Sequence, residues 1–125
     1  MATMRFGPVQ LRIMQVLWQK VRANAREITE ELNKESPIAH STVQTLLRKL
    51  KHKGAVTHTV EERTFVFRAL VKPDRVVKSV SREVIDRMLD GSAGDLVCYL
   101  IKHERISKSE FKEIRKLINE KGKSK

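Results

Sequence analysis

Cysteine occurs once in this chain of 125 residues, at Cys98. A single thiol excludes an intramolecular disulfide and a thiolate-rich metal cluster within one chain, and it fits a reducing compartment. The N-terminus lacks the charged, then apolar, then small-residue order of a signal peptide. No stretch approaches the ~18 consecutive apolar residues that a membrane span needs, so a cytoplasmic chain with no membrane insertion is expected. Catalytic constellations are missing as well. His40, His52, His58 and His103 are scattered without metal-ligand spacing, and neither a glycine-rich phosphate loop nor a nucleophile motif occurs. An enzyme, a metal site and a cofactor are therefore not expected. No polar cluster offers a pocket for a small inducer.

What is present is positive charge. Lys and Arg number 26 against 15 Asp and Glu, the net charge is +11, and 40% of the residues are hydrophobic. That composition suits a compact core, and the cation excess without an apolar span points to a polyanionic partner. Residues 1–71 hold twelve cations against six acids, and residues 72–125 fourteen against nine. The excess is therefore spread over both halves, although Lys121, Lys123 and Lys125 make a short basic end expected to fray.

The stretch that needs a partner most is Ala39–Gly54. Val43, Leu46, Leu47 and Leu50 fall at helical spacing and predict a buried face. His40, Ser41, Gln44, Thr45, Arg48, Lys51 and His52 are left outside. Short hydrogen-bonding side chains lie at the start of this helix and cations towards its end. That order suits a helix whose first turns enter a DNA major groove while later ones, with Lys51 and Lys53, lie near phosphates. Gly54 is placed to stop it.

Before it, Gly7–Lys20 predicts a helix with Pro8 at the first position, Val9, Ile13, Val16 and Leu17 on one stripe, and Met14 and Trp18 on its flank. Asn24 and Glu27 have capping-box spacing and predict a second, short helix through Ile28 and Leu32, ending near Asn33 to Ser36. Pro37 breaks the chain before the third. Three helices with a tight break before a basic one form the helix-turn-helix pattern. Ala55–Val60 and Thr64–Leu70 then predict a hairpin, separated by Glu61, Glu62 and Arg63. Such a hairpin should lean on the helices through Val56 or through Phe65 and Phe67, leaving Arg63 at its tip for a phosphate.

From Pro73 onwards no strand is expected. Val77, Val80, Val84 and Met88 form a stripe widened by Val76 and Leu89, with Gly91 as the stop. Capping-box spacing at Ser92 with Asp95, and again at Ser107 with Glu110, predicts two further helices, the first with Cys98 buried among apolar neighbours. Three helices of this length within ~50 residues have too much surface to bury all their apolar faces. The stripe and the Leu117 and Ile118 end are therefore expected to meet a second copy in a two-fold dimer, which would present two recognition helices to two half-sites. The fold class is thus mainly α with a small hairpin wing: a winged helix-turn-helix over residues 1–72 and a three-helix dimerisation domain over 73–125.

The segments Leu11–Trp18, Ala25–Leu32, Ser41–Val56, Arg63–Val71 and Asp90–Glu120 together resemble the penicillinase-repressor family, winged-helix regulators of β-lactamase and methicillin-resistance genes with copper-responsive relatives. The resemblance implies a homodimeric transcriptional repressor on a dyad-symmetric operator. It also implies Ser41, Thr42, Gln44, Thr45 and Arg48 on the recognition helix, and Arg63 on the wing. Copper-responsive relatives carry paired Cys-x-Cys hooks, which the tail Glu120–Lys125 lacks. In the β-lactamase regulators a membrane sensor protease initiates cutting at an Asn-Phe bond, and the corresponding pair here is Tyr99-Leu100. The alternative that the charge leaves open is a sequence-tolerant, nucleoid-type protein.

Overall fold

The computed structural model describes residues 5–123. Helix α1, Pro8–Lys20, starts on its proline and caps itself through Gln10, whose Oε1 accepts from the Gly7 N–H at 3.0 Å. Its buried stripe is Ile13, Met14, Val16 and Leu17, so Met14 lies inside the core and not on its flank. Helix α2, Ala25–Asn33, carries the expected capping box in full. Asn24 Oδ1 accepts from the Glu27 N–H at 2.8 Å, and Glu27 Oε1 accepts from the Asn24 N–H at 2.9 Å. Helix α3, His40–His52, buries Val43, Leu47 and Leu50, leaves Leu46 half-buried, and is followed by Gly54 at φ +82°.

Asn33 bridges the turn between α2 and α3. Asn33 Nδ2 donates to the Thr29 and Ile38 carbonyls at 2.8 and 3.0 Å, and its Oδ1 accepts from the Ile38 N–H at 3.0 Å. Arg12 adds a tie from α1, donating to the Leu32 carbonyl at 2.8 Å. The angle at which α3 leaves α2 is thereby fixed.

Strands β2, Val56–Glu61, and β3, Thr64–Ala69, pair antiparallel from Val56 opposite Ala69 to Glu61 opposite Thr64. Their two-residue turn has Glu62 at φ 51° and Arg63 at φ 66°. Two successive left-handed residues match the right-handed twist of the strands, which is why hairpins use this turn, but neither residue here is glycine. A two-residue strand, β1, Ala23–Asn24, pairs with the other edge of β3, giving the order β1-β3-β2. Two residues leave no alternating pattern, so a third strand was not legible. Val56, the first of the two anchors expected, seats the sheet in the core, and Phe67 joins it there, whereas Phe65 of the alternative pair is 50% exposed. Phe65 shares its face of the strand with Phe67 but lies nearer the tip, where no helix covers it. It stacks on His58 instead, with ring centroids 4.2 Å apart.

The chain divides into two compact units, one ending at Ser81 and the other beginning at Arg82. The division falls inside helix α4, Pro73–Met88, whose Val76 is part of the core of the first unit. In the second unit, Gly91 at φ +84° ends the turn after α4, its N–H donating to the Ile85 carbonyl at 2.9 Å. Helix α5, Ala93–His103, is capped by Ser92, which accepts from the Asp95 N–H. Helix α6, Lys108–Lys123, begins on a reciprocal Ser107–Glu110 box with both bonds at 3.1 Å. Helix α5 buries none of its residues. Cys98 is exposed, against the expectation of a buried thiol, because no described residue of the unit covers that face. Of the basic end, Lys125 lies outside the described residues. No helix among the described residues is long and apolar enough to cross a membrane.

Candidate nucleic-acid interface

Helix α3 lies with three apolar side chains in the core, and the side chains that sequence periodicity turns outward, Ser41, Gln44, Thr45, Arg48, Lys51 and His52, are exposed, as are Thr42 and Lys49. Its first residue, His40, is exposed too. The N-cap is Ala39, which offers no side-chain acceptor, so the first turn of α3 is not closed off by its own cap. Lys49, Lys51 and His52 fill the last turn. The helix therefore presents hydrogen-bonding groups first and cations last.

Between α3 and the wing runs an open groove of about 640 Å³, in which His40, Gln44 and Arg48 face Arg63, Thr64 and Phe65. Two of the three arginines that line it, Arg48 and Arg63, were expected to contact nucleic acid. The third, Arg26 on α2, was missed, because an exposed arginine in the first turn of a short helix carries no distinguishing pattern. A second hollow, of about 550 Å³, lies on the other side of α3 between Thr45, Arg48, Lys49, His52 and Gln10. Arg48 borders both. Its Nη2 donates to Thr45 Oγ1 at 3.3 Å, and that hydroxyl donates to the Ser41 carbonyl at 3.0 Å. The Thr45 hydroxyl is thus engaged locally, whereas Gln44 has no hydrogen bond among the described residues.

The wing is braced by a carboxylate on β2. Glu61, at its outer end, pairs with Arg22 from the loop after α1 and lies 3.7 Å from Arg68, while Thr59 donates to it at 3.2 Å. The hydrogen bond from Arg22 is the main reason that this carboxyl is held below its ordinary 4.5, opposed by partial desolvation and aided by the charges of Arg22 and Arg68. Arg63 has no hydrogen bond or ion pair among the described residues and stands exposed at the tip.

A sequence profile described as penicillinase repressor matches residues 6–120. The chain belongs to the penicillinase repressor family. It is 28% identical over 116 residues to the penicillinase repressor of Bacillus licheniformis, covering 93% of this chain and 91% of that one. Identity with the methicillin resistance regulatory protein MecI of Staphylococcus aureus strain N315 is 25% over 119 residues, or 95% and 97% of the two chains. Among solved structures it is similar to the monomeric form of Bacillus licheniformis BlaI in complex with the blaP half-operator. That likeness has a TM-score of 0.51 at 31% identity and covers 59% of this chain and 90% of the other.

In this member of the penicillinase repressor family, Lys53 has partners of its own within the chain. Its Nζ donates to the Arg5 carbonyl and to Gln10 Oε1 at 3.2 Å, and lies 5.2 Å from the centre of the Phe6 ring. Lys53 thus ties the end of α3 to the segment before α1. Ser41, Thr42 and Lys51 are exposed on α3 but do not line the groove with Arg63. The residues placed at a dimer interface are exposed in the single chain: Val77 by 64%, Val80 by 46%, Met88 by 77%, Leu117 by 56% and Ile118 by 58%, with Val84 half-buried. Tyr99 and Leu100 are likewise exposed on α5.

Proposed function

We propose that the chain acts as a cytoplasmic homodimer on a dyad-symmetric operator, with α3 of each copy in the major groove of one half-site and Arg63 on the adjoining phosphates. As a member of the penicillinase repressor family it is a DNA-binding transcriptional repressor. The observation that carries the finer reading is the groove in which Gln44 and Arg48 face Arg63, because it combines base-reading side chains with backbone-contacting cations on one surface. Residues 1–72 supply that surface and residues 73–125 the dimer. The exposed apolar side chains of α4 and α6, with Val97 and Leu100 of α5, support a second copy as the partner that covers them.

The test is footprinting on a duplex selected by the protein from a random pool. Two protected half-sites related by a dyad, about one helical turn apart or a multiple of it, are expected. Equal affinity for selected and scrambled duplexes would instead indicate a sequence-tolerant, nucleoid-type protein. Cutting by a membrane sensor protease at Tyr99-Leu100, the pair that stands where the relatives have Asn-Phe, is the release route open to test. Mass spectrometry of the repressor from cells challenged with a β-lactam should then show a fragment ending at Tyr99. An intact chain released from its operator would exclude this route.

A further inference from the structure

We propose that His40 is a specificity-determining residue of the recognition helix: with its Nδ1 proton given to Thr29, its Nε2 accepts a hydrogen bond from the exocyclic amine of one operator base, adenine N6 or cytosine N4. The proposal rests on the reading of α3 as the helix that enters the major groove. It begins with the fact that a threonine hydroxyl has one proton to give.

Thr29 is buried on α2, and its Oγ1 lies 2.7 Å from the Ala25 carbonyl oxygen and 3.2 Å from His40 Nδ1. Two oxygens, one of them a carbonyl, come to that distance with a proton between them. The Thr29 proton is therefore committed to Ala25. What its oxygen offers His40 is a lone pair, so Nδ1 must be the donor. A neutral imidazole carries one proton, and fixing it on Nδ1 leaves Nε2 as an acceptor. Thr29 thus selects one tautomer and holds the ring from its buried side. His40 itself is exposed and lines the groove with Gln44 and Arg48, and its Nε2 has no partner among the described residues.

A fixed acceptor in the major groove distinguishes bases. Adenine and cytosine present an amine there, whereas guanine and thymine present acceptors at the equivalent edge. Arg48 can only donate and suits guanine. His40 adds the opposite preference one turn of helix or more away, at a position set by the Thr29 contact. A free imidazole could exchange tautomers and satisfy either kind of base; this one is restricted to amines.

Two measurements test this. Long-range proton–nitrogen NMR at mildly alkaline pH, where imidazole is neutral, should show His40 protonated on Nδ1 in the wild type and redistributed in Thr29→Val, which keeps the shape and removes the acceptor. A proton on Nε2 in the wild type would overturn the proposal. On a duplex selected from a random pool by the protein, each adenine is replaced in turn by purine and each cytosine by 2-pyrimidinone, so that only the amine is deleted. One position should lose roughly three- to tenfold in affinity with the wild type and nothing further with His40→Ala, as expected for a single hydrogen bond. The purine arm identifies adenine as the base and the pyrimidinone arm cytosine. Amine deletions that cost the same in wild type and His40→Ala would overturn the proposal. If Gln44→Ala and Arg48→Ala still weaken binding to the selected duplex in that case, the recognition helix stands and His40 alone is misassigned. If neither does, the reading of α3 itself fails.

Discussion

At the residue scale, exposed neighbours on α3 should fail in different ways when removed. Gln44 lines the groove without a protein partner and can make paired bonds to an adenine edge, while Lys51 is one of the cations in the last turn. Gln44→Ala is expected to cost roughly 1–3 kcal/mol on the operator and little on scrambled DNA. Lys51→Ala should weaken both alike and lower the salt slope by about one unit. Parallel titrations at several salt concentrations read both effects, and equal losses for Gln44→Ala on the two duplexes would refute its role in base recognition. The wing tip offers a second contrast. Glu62 and Arg63 both hold left-handed backbone, at φ 51° and 66°, which glycine adopts without the steric penalty. Arg63→Gly should therefore raise stability by about 1 kcal/mol while weakening DNA binding. Glu62→Gly should give a similar gain in stability with no loss of affinity. Thermal unfolding and binding isotherms on the two variants separate strain from charge.

At the scale of elements, the wing's brace and the helix turn are the parts on which the groove depends. Arg22 holds Glu61 below its ordinary 4.5. A carboxyl depressed in the folded state stabilises at pH values above its unfolded titration, and that contribution is lost as pH falls through the lower folded value. The brace should thus be fully present at neutral pH and disappear only below about pH 4.5, where the wing's amide exchange should increase relative to α1. Glu61→Gln should remove this pH dependence; an unchanged profile would show that the pair does not hold the wing. In the turn between α2 and α3, Asn33 makes three bonds to backbone groups that no other side chain replaces among the described residues. Asn33→Ala is expected to destabilise the first unit by roughly 1–3 kcal/mol, read from chemical denaturation, because those groups lose partners.

For the whole molecule, the proposed dimer rests on the apolar side chains that the C-terminal helices leave exposed. Leu117 and Ile118 are more than half exposed, so replacing both with Asp should leave the single chain folded, as circular dichroism would confirm. The same charges inside a dry interface would be uncompensated and cost several kcal/mol. Sedimentation at micromolar concentration is expected to show monomers of Leu117→Asp/Ile118→Asp and dimers of the wild type. A double variant that stays dimeric would place the interface elsewhere. Monomers should still bind a half-site but lose the affinity gained by linking two, since the second contact no longer occurs within one complex.

Much of this was determined by the sequence alone, for a local reason. Helical periodicity, capping boxes such as Asn24–Glu27 and Ser107–Glu110, and stops at Gly54 and Gly91 act over a few residues, so their consequences can be read without the fold. The outward face of α3 follows from the same periodicity, as does most of the groove's helical wall. Tertiary structure decided what distant segments do to one another. It brought Arg26 and Arg63 to the groove, drew Lys53 away to Gln10 and Phe6, added β1 to the sheet, and left Phe65 at an uncovered tip. It also set Thr29 against His40, eleven residues on, and thereby chose which ring nitrogen carries a proton. Such contacts depend on where the chain returns in space, and neither the spacing of apolar residues nor the propensity of a segment encodes the position of a partner that packs from another element.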